Sequence, residues 1–284
     1  MSSQNNDSVF CAELIQGVNP LFRISSLFAD KSVSTRLPPL YAFFAAINQL
    51  CFSVSDEAVA IRKLGWWRDA MLDGEKASQD HPVISELERT GVLGSMPADV
   101  LARMFEVTAY RIEAPSTPGV QELESLCLMI GSPQLELELA VSGAGTASHS
   151  FHDSLPIRRG LMQLIREGLE RERSAWWVPL DLLAKHGVRR DELADETAEK
   201  SAQALMKEIL SIDAVSAEIM SVKTDISNNN QYDRHIYVFD ALTARKLKHM
   251  KLSSYNKQRE ALFRPSVADL FCCWGAARQF NRQK

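Results

Sequence analysis

Pro38-Pro39 opens a run at positions 40–54, LYAFFAAINQLCFSV, that is almost continuously apolar. Proline is tolerated in a first helical turn because its missing N–H would find no partner there in any case. The run therefore reads as a helix, and a helix apolar on nearly every side must be enclosed by others. That makes Leu40 to Val54 the centre of whatever the chain builds. Asn48 and Gln49 interrupt its interior, and amides buried there need hydrogen-bond partners.

The flanking segments supply the other helices. Leu14, Ile15 and Val18, then Leu21, Phe22, Ile24 and Leu27, predict two short helices broken at Asn19-Pro20. Ser55-Asp56-Glu57 reads as a cap opening a helix over 58–72, with Arg68 and Asp69 as a helix-end ion pair and Gly74 as its end. His81-Pro82-Val83 enters a short helix through Leu87. Pro97 starts the next, with Val100, Leu101, Met104, Phe105 and Ala109 on one stripe, and 114–119 form a loop. Over 120–142, Leu123, Leu126, Cys127 and Ile130 keep helical spacing, and Gly131 and Pro133 predict a kink. Leu135, Leu137 and Leu139 alternate with glutamates as a strand would, but a lone strand has no partner nearby, so helix is the reading. Further helices are expected over 155–173, over 180–186 with Gly187 as C-cap, over 197–222 as one long amphipathic helix, over 235–250 and over 265–280. Asn228-Asn229-Asn230 reads as a loop. No repeat, low-complexity tract or linker divides the 284 residues, so one all-α domain is expected over 1–284. Its core should occupy about 10–280.

Bulk properties narrow the function. A composition 45% hydrophobic and 24% charged suits a globular protein with a sizeable core. A net charge of -4 argues against the basic face that a nucleic-acid partner requires. No stretch reaches the ~18 apolar residues of a membrane span, so any membrane contact is expected to be peripheral. The opening MSSQNNDSVF has neither the regions of a secretory signal nor the arginines of a transit peptide. The expected location is cytoplasmic, with peripheral contact at a bacterial inner membrane as an alternative. Cys11, Cys51, Cys127, Cys272 and Cys273 lie in apolar runs without C-x-x-C spacing and read as buried thiols of a reducing compartment. The histidines show no metal-ligand spacing, and no metal is expected.

Several phrases resemble the squalene/phytoene synthase superfamily. Its first motif runs roughly L-Y-A-F-x-x-x-x-D-D-x-x-D, with W-R ending the next helix. Here Leu40-Tyr41-Ala42-Phe43 and Trp67-Arg68 stand, but the acidic positions read Asn48, Gln49 and Phe52. Its second motif is similar to Gln163-Leu164-Ile165-Arg166-Glu167-Gly168-Leu169-Glu170-Arg171, followed by Trp176-Trp177-Val178-Pro179 and by Asp181 to Gly187. Glu167 and Glu170 keep carboxylates, Arg171 replaces the last acid, the usual asparagine is absent, and His149 and His152 stand upstream. Phe28-Ala29, Arg36, Ile61-Arg62, Trp66-Trp67-Arg68-Asp69-Ala70 and His81-Pro82-Val83 resemble most closely a catalytically degenerate branch. That branch includes a mitochondrial assembly factor for respiratory NADH:ubiquinone oxidoreductase and alphaproteobacterial relatives.

The resemblance implies an isoprenoid-synthase-type fold, all helical, with a central cavity between helices. In active members two acidic clusters face each other across that cavity and magnesium bridges them to prenyl diphosphates. Magnesium takes several hard oxygen ligands, and the amides of Asn48 and Gln49 supply no charge. The expectation is therefore a protein without catalysis, acting in respiratory-complex assembly or as a lipid- or partner-binding scaffold. The alternative is a magnesium-dependent transferase that condenses two prenyl diphosphates. The implied partners are a respiratory-complex subunit or an isoprenoid or lipid ligand. Tyr41, Phe44, Trp67, Arg68, Gln163 and Arg166 are the candidate ligand contacts.

Plainer readings stand beside these. Glu167 and Glu170 lie in REGLERER, which reads as a solvated charged face with i,i+3 and i,i+4 pairs. Asn48 and Gln49 read as structural polar contacts, Arg158-Arg159 as a solvated basic patch, and the Trp66-Trp67 and Trp176-Trp177 pairs as packing. Phe43, Phe44, Ile47, Trp67 and Leu164 are expected to line or seal the cavity. Phe52, a turn after Asn48 on the same face, is expected to fill part of it, so that Phe52→Ala would cost roughly 3–5 kcal/mol.

Overall fold

The computed structural model describes residues 2–72, 81–113, 116–143, 154–170, 176–194, 199–216, 234–252 and 263–283, and among these there is no strand. The first helix, α1 (Ser2–Val18), ends at the Asn19-Pro20 break, and α2 (Phe22–Ser25) runs into a 3₁₀ turn, Ser26–Phe28. The apolar run forms α3 (Leu37–Ser53), with proline in its first turn. Asp56 caps α4 (Glu57–Leu72), its carboxylate accepting from the Val59 N–H at 3.1 Å. His81 caps α5 (Pro82–Arg89) in the same way, Nδ1 accepting from the Val83 N–H. Then come α6 (Ala98–Glu113), α7 (Val120–Ser142), α8 (Ser154–Glu170) and α9 (Leu180–His186). Gly187 closes α9 in the left-handed conformation expected of a C-cap glycine. The chain continues through α10 (Glu199–Ile209), α11 (Asp213–Ser216), α12 (Arg234–Leu252) and α13 (Val267–Gln283).

Helix α3 is the hub. It packs against α1, α4, α5, α6, α7 and α8, and Leu40, Ala42, Phe43 and Ile47 are wholly buried. One apolar cluster runs from Cys11 to Phe280 around it. The closest helix pair is α7 with α8. A Cβ on Gly131 would fall 1.9 Å from the Pro156 carbonyl oxygen, and one on Gly160 would fall 2.1 Å from that of Cys127. Two glycines, one on each helix, thus let the backbones touch.

The leucine alternation of α7 has a helical explanation. Leu135 and Leu139 join Leu155 and Ile236 in a small second cluster, while Leu137 and Val141 belong to the main core. A helix buried on two faces loses the single-stripe pattern. The long helix expected over 197–222 is instead broken: after Ile209 the chain tightens into i→i+3 turns, Ile212 N–H bonding Ile209 C=O, and Ser211 Oγ bonds back to the Lys207 carbonyl. Such back-bonding by serine competes with helix continuation, and α11 starts afresh at Asp213. Gly74, His149, His152, Arg171 and Asn228-Asn229-Asn230 lie outside the described residues, as does the side chain of Glu170. The five cysteines are free, and all but the half-buried Cys272 are buried.

Candidate functional site

Six helices deliver polar side chains to the middle of this apolar core. On one side, Asn48 of α3, Arg111 of α6, and Gln163 and Glu167 of α8 converge. Arg111 donates to Glu167 and, at 3.1 Å, to the Asn48 side-chain oxygen. Turned so that its oxygen faces the guanidinium, the Gln163 amide accepts from Arg111 at 2.6 and 3.0 Å and from Asn48 Nδ2 at 2.8 Å. Gln134 of α7 lies 2.7 Å from the same amide. The side chains of Arg111 and Glu167 are 1% and 3% exposed, so this is a desolvated ion pair. Burial pulls the Arg111 guanidinium below its ordinary value. Glu167 is therefore not on a solvated face. Within the charged run it occupies an inward position of α8, the residue as a whole 2% exposed.

On the other side, Glu138 of α7 is the acceptor for three donors. Tyr41 Oη donates at 3.0 Å, Arg159 Nη1 at 2.7 Å, and His235 Nδ1 lies 2.5 Å away. The other His235 nitrogen sits 3.1 Å from Ser25 Oγ. Burial by itself would raise the Glu138 carboxyl; Arg159 and then His235 outweigh it and hold the group at about 2. Next along α8, Arg158 forms a two-pronged pair with Asp240 of α12 at 2.9 and 2.5 Å. Arg158 and Arg159 thus form no solvated basic patch. Both are buried, because carboxylates on two neighbouring helices wait for them.

Between the two clusters lies a cavity of about 80 Å³, against the about 300–1,000 Å³ of ordinary ligand clefts. Tyr41, Phe44, Asn48, Gln163 and Arg166 line it, as do Arg159 and Phe52. Phe44 is the member of the Phe43, Phe44, Ile47, Trp67 and Leu164 set that reaches the cavity wall; the other four are buried in the surrounding core. Phe52 is half-buried and stands with Val18 and Arg166 at the border between the cavity and an open groove against α1, which Gln49 also lines. Arg166 donates to the Gly17 carbonyl at 2.9 Å and its guanidinium covers the Phe263 ring. Trp67 packs with Phe43, Trp66 and His81, and the exposed Arg68 pairs with Asp69, both away from the cavity.

Sequence reasoning passed over Arg111, Glu138, His235 and Asp240. Each is a charged or titratable residue on an apolar stripe: Arg111 follows Met104 and Thr108 at helical spacing, and Asp240 sits inside IYVFDAL. The magnesium that the resemblance implies does not fit the residues described. Asn48 Oδ1 and Glu167 Oε1 both face Arg111, which leaves Glu167 Oε2 as a lone free carboxylate oxygen beside a guanidinium; Gln49 lies in the outer groove, and Phe52 offers no donor. Among the described residues no three His, Cys, Asp or Glu side chains gather as a metal site.

An all-helical barrel with a central cavity and paired motifs on α3 and α8 defines an isoprenoid-synthase-type protein. The squalene/phytoene synthase family profile matches residues 16–215, and the chain belongs to that family. Over 207 residues it is 22% identical to NADH dehydrogenase (ubiquinone) complex I, assembly factor 6, of Rattus norvegicus, and equally to that of Mus musculus. Those matches cover 72% of this chain and 62% of the relatives' length. Among solved structures, a dehydrosqualene synthase with bound ligand superposes with a TM-score of 0.64 at 12% identity, over 100% of this chain and 99% of that one. Squalene synthase HpnC from Alicyclobacillus acidocaldarius gives 0.54 at 16% identity, over 99% and 97%. These likenesses establish the fold.

Proposed function

We propose that this chain is a squalene/phytoene synthase-like protein without prenyl transfer, serving as a scaffold in respiratory-complex assembly. The observation that carries the first half is Arg111. Active members of the family use divalent cations between their two motif helices; here a guanidinium lies between Asn48 of one and Glu167 of the other. That fixed internal cation engages Asn48 Oδ1 and Glu167 Oε1, and its positive charge between the two helices repels a second cation. The assembly role rests on the similarity to the rat and mouse assembly factors. Incubation of the pure protein with labelled farnesyl and geranylgeranyl diphosphate plus magnesium tests the first half. Diphosphate release no faster than in a heat-denatured control is expected; turnover would overturn it. Deleting the gene in its host tests the second, with loss of assembled NADH:ubiquinone oxidoreductase expected.

A ligand-holding role is favoured by one further observation. Nε and Nη2 of the buried Arg159 have no partner among the described residues, and Arg159 lines the cavity. An anionic headgroup seated there without metal would satisfy them. Stabilisation by a fatty acid or a prenyl monophosphate, undiminished by a chelator, would support this reading, and absence of any thermal shift would sink it.

A further inference from the structure

Helix α13 carries an outward face that the described residues leave uncovered. Val267, Leu270, Phe271 and Trp274 are 73%, 41%, 67% and 49% exposed. Their spacing, i, i+3, i+4 and i+7, puts them on one side of the helix, and Arg278 and Arg282 continue the same side through its last turns. The opposite side, with Cys273, Ala276, Ala277 and Phe280, is buried against the core. The Arg278 guanidinium lies 4.7 Å from the Trp274 ring centroid, so apolar and basic portions adjoin. Asp269, the sole carboxylate of α13, is buried and paired with Lys246 and Arg245, which leaves the exposed side chains of this helix without an acid. The 3₁₀ turn Ser26–Phe28, whose Leu27 is 70% exposed, packs against α13.

We propose that this face docks the protein onto an anionic lipid bilayer, with α13 lying in the plane of the headgroups. Scattered single exposed apolar residues need no explanation, but four on one helical stripe do. The charge argument selects the occupant. In a chain with a net charge of -4, this face carries only cations, which complements a surface of phosphates. Trp274 and Phe271 have the amphipathic or bulky rings that partition to the boundary between headgroups and acyl chains, while Arg278 and Arg282 reach phosphates and bury their stems. A second copy of this chain is a poorer occupant. A two-fold contact through α13 would cover Arg278 and Arg282 with a copy of the same face, which offers no exposed carboxylate of α13 to pair them. Nor does any described helix reach the length and apolarity needed to cross a membrane, so attachment through a face is the mode that this surface allows. The inference concerns the outside of the molecule and stands whether or not the cavity is catalytic.

Co-sedimentation of the full chain with vesicles tests it, using phosphatidylcholine alone and phosphatidylcholine containing phosphatidylglycerol. The protein should pellet with the anionic vesicles at low salt and be released at high salt. Replacing Phe271 and Trp274 together by Ser should weaken binding about tenfold or more, as should Arg278→Glu with Arg282→Glu. All four residues are exposed, so the variants should keep the far-ultraviolet circular dichroism and melting temperature of the parent. Three results would overturn the proposal. One is failure of the parent to bind anionic vesicles. Another is binding that the substitutions leave unchanged. The third is a dimer in light scattering that Phe271→Ser converts to monomer, which would assign the face to a second copy.

Discussion

Arg111 is a wholly buried charge matched by one carboxylate, and that arrangement is asymmetric in its energetics. Removing one partner strands the other in a medium that cannot solvate it. Arg111→Met or Glu167→Gln should each cost about 3–5 kcal/mol, while the double substitution Arg111→Met with Glu167→Met should recover most of the loss. Urea unfolding reads all three, and single variants within 1 kcal/mol of the parent, taken as roughly no effect, would contradict the buried pair. Glu138 gives a pH signature. Its carboxyl is held at about 2 against an ordinary 4.5, so its contribution is present above about 4.5 and is lost as pH falls toward 2. Stability of the parent should decline through that window more steeply than that of Glu138→Gln; parallel curves would contradict the assignment. Phe52, half-buried at the cavity mouth, should lose less on truncation to Ala than the about 3 kcal/mol at the lower end for core aromatics. Asn48 was legible in the sequence because an amide stands out in an apolar run, and Gln163 through the resemblance of its phrase to the second family motif. Arg111, Glu138 and Asp240 were not, because a charge on an apolar stripe is interpretable only when its partner, many residues away, is known.

At the level of elements, the α7–α8 contact depends on two hydrogen atoms where side chains would stand. Gly131→Ala and Gly160→Ala each drive a methyl group into a backbone carbonyl, which cannot move as a side-chain tip does. Each should cost at least the about 1–3 kcal/mol typical of overpacking. It should also loosen the neighbouring Arg159–Glu138 pair, visible as faster amide exchange in α7. Unchanged melting temperatures would show that the helices can separate freely. Most boundaries were readable because proline, capping residues and glycine mark them: Pro38-Pro39, Asp56, His81 and Gly187 all end or begin helices. The break after Ile209 was not, since Ser211 and Asp213 fit an amphipathic helix equally well by composition. The Leu135 to Leu139 alternation imitates a strand because a helix buried on two faces has no single period, yet the lack of a partner strand pointed to the helix that forms.

For the molecule as a whole, the expected response to magnesium follows from the site. A ligand present at a hundred times its dissociation constant would stabilise the fold by about 2.7 kcal/mol, readily seen in a melt. Magnesium with inorganic diphosphate should leave the melting temperature unmoved, and a rise of the size that binding requires would contradict the reading of Asn48 and Glu167. The position of Arg111 also bears on the history open to such a chain. Restoring an acid by Asn48→Asp places a carboxylate 3 Å-scale distant from a guanidinium, as the present 3.1 Å contact does for the amide. The new charge would pair with Arg111 and tighten the cluster rather than recruit an ion. Recovery of a metal centre needs the arginine to leave first, and its departure strands Glu167. Each single substitution toward a metal centre is therefore either unproductive or destabilising, so the Arg111 pair works as a ratchet against acquiring one.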